Sequence, residues 1–153
     1  MTATLDTAYA LAVPDPCPAC AAPAADERPL VTSPEAAASV LVPLLADEDR
    51  ERCVALLLDT RHRLIDDVVV SVGSIDHTFM SPREVFRDAL LGNAAAIVLG
   101  HNHPSGDANP SRDDERVTRR LADAAEVIGI DLLDHLVIGR GCWTSLARHG
   151  ALG

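Results

Sequence analysis

From residue 33 onward the apolar positions follow two patterns, helical stripes and short unbroken runs. Ser33-Pro34 supplies an N-cap residue and a proline at the first helical position. Val40, Leu41, Leu44 and Leu45 form the stripe behind it, and Pro43 is placed to kink or end that helix. CVALLLDT, residues 53–60, is a continuous apolar run of strand length, which predicts a buried strand. Arg61-His62-Arg63 reads as a turn, and LIDDVVVSVG, residues 64–73, as a second strand closing a hairpin. Ser81-Pro82-Arg83-Glu84 has the S-x-x-E form of a capping box with proline at N1. The helix after it presents Val85, Phe86, Ala89 and Leu90 to the core and ends at Gly92.

AAAIVLG, residues 94–100, is another buried strand, and it delivers the chain to His101. Ser111-Arg112-Asp113-Asp114 is again cap-like, and Val117, Leu121, Ala124, Ala125 and Ile128 recur at helical spacing up to Gly129, a fitting C-cap. DLLDHLVIG, residues 131–139, is a strand and CWTSL, residues 142–146, a short one. The order helix, strand pair, helix, strand, helix, strand pair predicts an α/β domain with helices layered on a sheet. Residues 1–31 differ: VPDPCPACAAPAADERP is rich in Pro and Ala and has no period. They read as a low-complexity N-terminal tail ahead of a domain at 32–153.

Composition sharpens this picture. Aromatic residues make up only 3% of the 153, so the core must be built from Ala, Val, Leu and Ile. Net charge is −10 although the chain carries 13 basic residues, all of them Arg. That balance argues against a strong nucleic-acid footprint. The start lacks a signal-peptide pattern and no apolar run reaches about 18 residues, so the expectation is a cytoplasmic protein with no membrane association. Disulfides are then not expected. Cys17-Pro-Ala-Cys20 has half of a zinc-ribbon spacing, and no second such pair completes it. Cys53 and Cys142 read as core cysteines.

The chemistry concentrates in HNHPSGDANPSRDD, residues 101–114. Residues i and i+2 of an extended chain point the same way, so His101 and His103 can present two imidazole nitrogens to one cation. Asp114, in the first turn of the next helix, is near enough to supply a third ligand. Two His and one carboxylate leave one tetrahedral zinc position open, the pattern of a catalytic site, where bound water loses a proton near neutral pH. Ser111 and Asp114 also suit a simple capping box, with Asp114 favoured by the helix dipole. Asp113 points about 100° away from Asp114 on the same helix and cannot share its target. Asp134-His135 places one residue toward the core, where a hydrogen-bonded buried His is the ordinary reading. Arg112, Arg116, Arg119 and Arg120 line one helix, as a solvated face or an anion contact.

His101-Asn-His103, seven residues, Ser111, two residues, Asp114 matches the JAMM pattern H-x-H-x(7)-S-x-x-D of MPN/JAB-domain metallopeptidases. The stretch SPREVFRDALLGNAAAIVLGHNHPSGDANPSRDD resembles the RadC branch, as do LLLDTRHRLI and LLDHLVIG, over roughly residues 33–153. The resemblance implies a cytidine-deaminase-like α/β/α fold with a mixed sheet flanked by helices. It implies one Zn2+ per chain on His101, His103 and Asp114, and a peptide or protein substrate. It gives Ser111 a hydrogen bond to the tetrahedral intermediate or the water. Longer RadC-like proteins carry a helix-hairpin-helix segment before this domain, for which this chain leaves no room.

The same resemblance implies a general-base glutamate on the second strand, about five residues before a Gly-Thr or Gly-Ser. Counting back from Gly73-Ser74 gives Val68, a departure from the pattern. Asp66 and Asp67 are the nearest acids. Asp67 serves if a bulge re-aims it, and Glu84 is the remaining candidate beside its capping role. Three functions follow: a zinc metallopeptidase or isopeptidase-like hydrolase, a non-catalytic zinc-binding or partner-binding module, and a DNA-repair-associated accessory protein.

Overall fold

The computed structural model describes residues 27–73 and 80–152; the Cys17/Cys20 pair lies outside them. The elements run α1 (Pro34–Leu45), β1 (Arg52–Leu58), β2 (Leu64–Val72), α2 (Pro82–Leu91), β3 (Ala96–Asn102), α3 (Arg112–Ile128), β4 (Asp131–Ile138) and β5 (Trp143–Ser145). The strands form one mixed sheet in the order β2-β1-β3-β4-β5. β1 is antiparallel to β2 and β3, β3 is parallel to β4, and β5 returns antiparallel on β4. The parallel pair requires a crossover, and α3 supplies it.

Strand alternation splits the apolar side chains between two layers. Val54, Leu56, Leu58, Val98, Leu136 and Ile138 face α1 and its Ala37, Ala38, Leu41 and Leu45. Cys53, Ala55, Leu57, Ile97 and Leu99 face α2 and α3, meeting Val85, Phe86, Leu121 and Ala125. The fold is therefore α/β with helices on both sheet faces, as the pattern predicts. β1 and β3 are covered on both sides, which is why they read as unbroken apolar runs.

Some expectations shift. Pro43 lies inside α1, yet the helix continues to Leu45. So near the C-terminus its missing N–H removes only one late helical bond. Leu90 is 55% exposed, because Val85, Phe86 and Ala89 already fill the buried face of α2. Residues 29–31, compositionally part of the tail, pair with the hairpin turn: Val31 N–H donates to His62 O at 2.8 Å and Leu64 N–H to Pro29 O at 2.8 Å. Val31 itself is buried against the α1 layer.

Cys142 is exposed, not in the core, since it sits in the tight turn between β4 and β5. Cys53 is buried in β1, and burial, helped by the charge of Glu51, pushes its thiol up to about 12. A thiol reagent at pH 8 is expected to modify Cys142 in the native protein and Cys53 only after denaturation. Peptide mass mapping checks this, and rapid native labelling of Cys53 would contradict its burial.

Candidate metal centre

β3 runs between β1 and β4 and ends at Asn102, so His101 stands at its carboxyl end beside Cys53 of β1 and Val137 of β4. His101 continues the 97-99-101 alternation toward α2 and α3 and is fully buried. His103 follows the strand end, where its N–H donates to Ile138 O at 2.9 Å. The turn beyond is held against β4: Gly106 N–H donates to His103 O, and Arg140 N–H donates to Gly106 O, both at 2.9 Å. A Cβ on Gly139 would stand 2.5 Å from Gly106 O and 2.8 Å from Ala108 N, so only glycine lets the turn lie so close. The turn leads directly into α3, whose third residue is Asp114.

Two imidazole nitrogens and the two oxygens of one carboxylate converge. His101 Nε2 is 3.0 Å from His103 Nε2 and 3.3 Å from Asp114 Oδ1, and His103 Nε2 is 3.5 Å from Asp114 Oδ2. Zinc bonds of about 2.0–2.1 Å at tetrahedral angles place neighbouring ligand atoms about 3.3 Å apart. The His/His/Asp spacing fits such an ion, and these three are a group that could hold a metal. The donor chemistry agrees. His103 Nδ1 lies 2.8 Å from the Asp107 carbonyl, which can only accept. The Nδ1 proton is thereby committed, and Nε2 is the nitrogen turned toward His101 and Asp114, able in the neutral ring to offer a metal its lone pair.

Asp114 holds its place through the cap of α3. Its Oδ2 accepts from Ser111 N–H at 2.7 Å and from Ser111 Oγ–H at 2.6 Å, while its own N–H donates to Ser111 Oγ at 3.1 Å. The capping box and the His/His/Asp group thus share one carboxylate. Burial pushes the Asp114 carboxyl up, but its interactions with the facing His101 and His103 rings and with the Ser111 hydroxyl outweigh it and hold the group ionised far below the usual carboxylate range. Hydrogen bonding to Asp114 raises His103, against the opposing effect of burial, and the charge of Glu51 adds to the rise.

Glu51 is the acid that inspection of the sequence passes over. It is only 8% exposed, directly before β1, two residues from Cys53, which pairs with His101. Asn102, buried between the two histidines, fixes this approach. It accepts from Arg52 N–H at 2.8 Å and donates to Arg50 O at 3.0 Å and Glu48 O at 3.3 Å. Asn102→Ala is expected to lower unfolding free energy by about 2 kcal/mol, since the buried loop groups lose their partners. Denaturant melts measure this; an unchanged midpoint would show that the loop holds itself. Glu51 carries no periodic signal. It follows Asp47, Glu48 and Asp49 in a run that reads as solvated, and only the strand pairing reveals its position.

The acids weighed from the sequence lie elsewhere. Asp67 is exposed and pairs with Leu56, a residue of the α1 layer, so the structure does not bring it to the cluster. β2 is irregular at two places, opposite Cys53/Val54 and opposite Leu57/Leu58, and Asp67 lies between them in regular register with Leu56. Asp66 is exposed opposite Leu57, and Val68 packs against the α2/α3 layer opposite Ala55. Glu84 is exposed in the first turn of α2, its N–H directed at Ser81 Oγ. Asp113 pairs with Arg116 at 3.0 Å, and Arg119 pairs with Glu115 at 3.1 Å, which gives that arginine face local partners. A polar cavity of about 380 Å³ opens beside His103, lined by Asp47, Glu48, Asp49, Pro104 and Arg140. Among the described residues, no helix is long and apolar enough to cross a membrane.

The sequence also has known relatives. A family model described as a RadC-like JAB domain matches residues 31–151. A UPF0758 protein of Rubrobacter xylanophilus is 43% identical over 125 residues, 82% of this chain and 55% of its own length. One from Desulforamulus reducens is 42% identical over 132 residues, covering 86% and 58%. One from Vibrio parahaemolyticus is 48% identical over 120 residues, covering 78% and 54%. The chain spans about half the length of the curated relatives it matches.

Proposed function

The chain belongs to the RadC-like JAB domain family, and on that premise we propose that it is a zinc-dependent amide hydrolase of the metallopeptidase or isopeptidase type. The observation that carries this reading is the His101–His103–Asp114 group, whose imidazole nitrogens lie 3.0 Å apart and each 3.3–3.5 Å from one oxygen of the carboxylate, with the buried Glu51 close enough for its charge to act on His103. Three protein ligands leave a fourth position, and zinc held there would polarise a water toward ionisation near neutral pH.

The remaining chemistry falls to the chain's own groups. Glu51 takes a proton as the water oxygen attacks the amide carbon, and returns it to the leaving nitrogen as the C–N bond breaks. Its burial beside the histidines supports this role over the exposed Asp66, Asp67 and Glu84. Ser111 is exposed, and its backbone N–H secures Asp114 independently of its hydroxyl. The hydroxyl can therefore turn from Asp114 Oδ2 to the developing oxyanion. The cavity beside His103 gives an extended peptide an approach from the 47–49 side.

The test joins metal content to turnover. Elemental mass spectrometry is expected to find about one zinc bound through this site, and a library of quenched peptides and lysine-linked isopeptides to be cleaved. Chelation should stop cleavage and zinc restore it. No zinc uptake, or cleavage indifferent to chelation, would overturn the proposal.

A further inference from the structure

His135 invites the question of what a buried imidazole does in the middle of β4. It is fully buried, and its two ring nitrogens have different partners. Nε2 lies 2.8 Å from His101 Nδ1, and Nδ1 lies 2.6 Å from Thr118 Oγ1 on α3. Thr118, also fully buried, reaches on to the Asp114 backbone carbonyl at 2.7 Å. The chain of contacts therefore starts at one member of the donor triangle, Asp114, and ends at another, His101.

We propose that Thr118 and His135 form a directional hydrogen-bond relay that locks His101 in the one tautomer able to offer Nε2 to a metal ion. The direction follows from the last contact. A carbonyl oxygen carries no proton, so the 2.7 Å separation requires the single Thr118 hydroxyl proton to point at Asp114 O. Thr118 Oγ1 must then accept, which places a proton on His135 Nδ1. A neutral imidazole with its one proton on Nδ1 has only a lone pair on Nε2, and so it is for His135. It accepts from His101 Nδ1–H, and His101 Nε2 is left bare, facing His103 and Asp114. Reversed, the relay would put a proton on His101 Nε2 and leave two oxygens facing each other without one. His103 reaches the same state through the Asp107 carbonyl alone. His101 is too deep for a loop carbonyl, and the relay takes that place.

His135 and Thr118 are on this view positioning residues, and the inference rests on the zinc reading above. Outer partners of ligating histidines are worth about 10–100-fold in metal affinity. His135→Leu is expected to weaken zinc binding by that range, measured by competition with a chromophoric chelator. His135→Gln, which can place an acceptor oxygen near Nε2, should recover most of it. Thr118→Val should weaken binding and Thr118→Ser should not. A purely structural role would make Gln and Leu alike. In case His135→Leu fails to fold, long-range ¹H–¹⁵N spectra of the zinc-free native protein give an independent reading. They should show both His101 and His135 protonated on Nδ1. Normal zinc affinity in folded His135→Leu, or either ring protonated on Nε2 in the native spectra, would overturn the relay while leaving the hydrolase reading intact. A native chain that takes up no zinc would overturn both.

Discussion

Asp114→Ala is expected to take zinc content from about one per chain to near zero and to abolish amide hydrolysis. Asp114 is the only carboxylate in the triangle, so its loss leaves two imidazoles with no anionic partner. It also removes the acceptor for Ser111 N–H and Ser111 Oγ–H, so the capping box of α3 loses its reciprocal half, although Ser111 Oγ can still accept from the N–H of residue 114. Losing that half costs about 1 kcal/mol. The variant will therefore be less stable for a reason unrelated to metal, and activity alone would be a poor witness. Asp114→Asn separates the two effects. Its amide oxygen can still accept from Ser111 N–H, so the metal-free melting temperature should fall only slightly. The neutral oxygen is a poor zinc ligand, so affinity should still fall by about 100-fold or more. Measured by competition with a chelator, native-like zinc affinity in folded Asp114→Asn would show that the carboxylate serves only the cap.

The sequence carried most of the fold because its local signals agree with each other. Ser33, Ser81 and Ser111 all cap the helices they precede, and Gly129 ends α3 in the left-handed conformation. The failures have a common physical root, burial decided by neighbours distant in sequence. Cys142 lies in an apolar-looking segment, yet two strands turn there and expose it. His135 reads as an ordinary core histidine because nothing local says that β3 and β4 are parallel neighbours; that pairing brings His101 within 2.8 Å. The grouping of His101, His103 and Asp114 was legible for the opposite reason. All three donors fall within fourteen residues, joined by one turn, so strand periodicity and a helix start sufficed to align them. Glu51 comes from before β1 and meets the cluster only through the β1–β3 pairing. The β2 position where the family pattern expects a glutamate is Val68, which packs against the α2/α3 layer.

That difference yields the second large effect. Glu51→Gln is expected to keep zinc at about one per chain while lowering turnover by about 10³-fold, the scale of losing a general base. The substitution preserves length and shape, so the loop that Asn102 anchors should hold its position. What it removes is the ability to take up and release a proton. Metal content and turnover should therefore separate in this variant, whereas in Asp114→Ala they fall together. Asp67→Asn supplies the contrast: its side chain is exposed on the α1 side of the sheet, and turnover should stay within about twofold of native. Full turnover in Glu51→Gln would remove Glu51 from the chemistry. A collapse in Asp67→Asn would mean that β2 rearranges to bring its acid across the sheet edge. If Glu51→Gln loses zinc as well as turnover, Glu51 acts on the ion itself, as a fourth ligand closing the open position. The site would then be structural rather than catalytic, because a closed tetrahedron has no room for water.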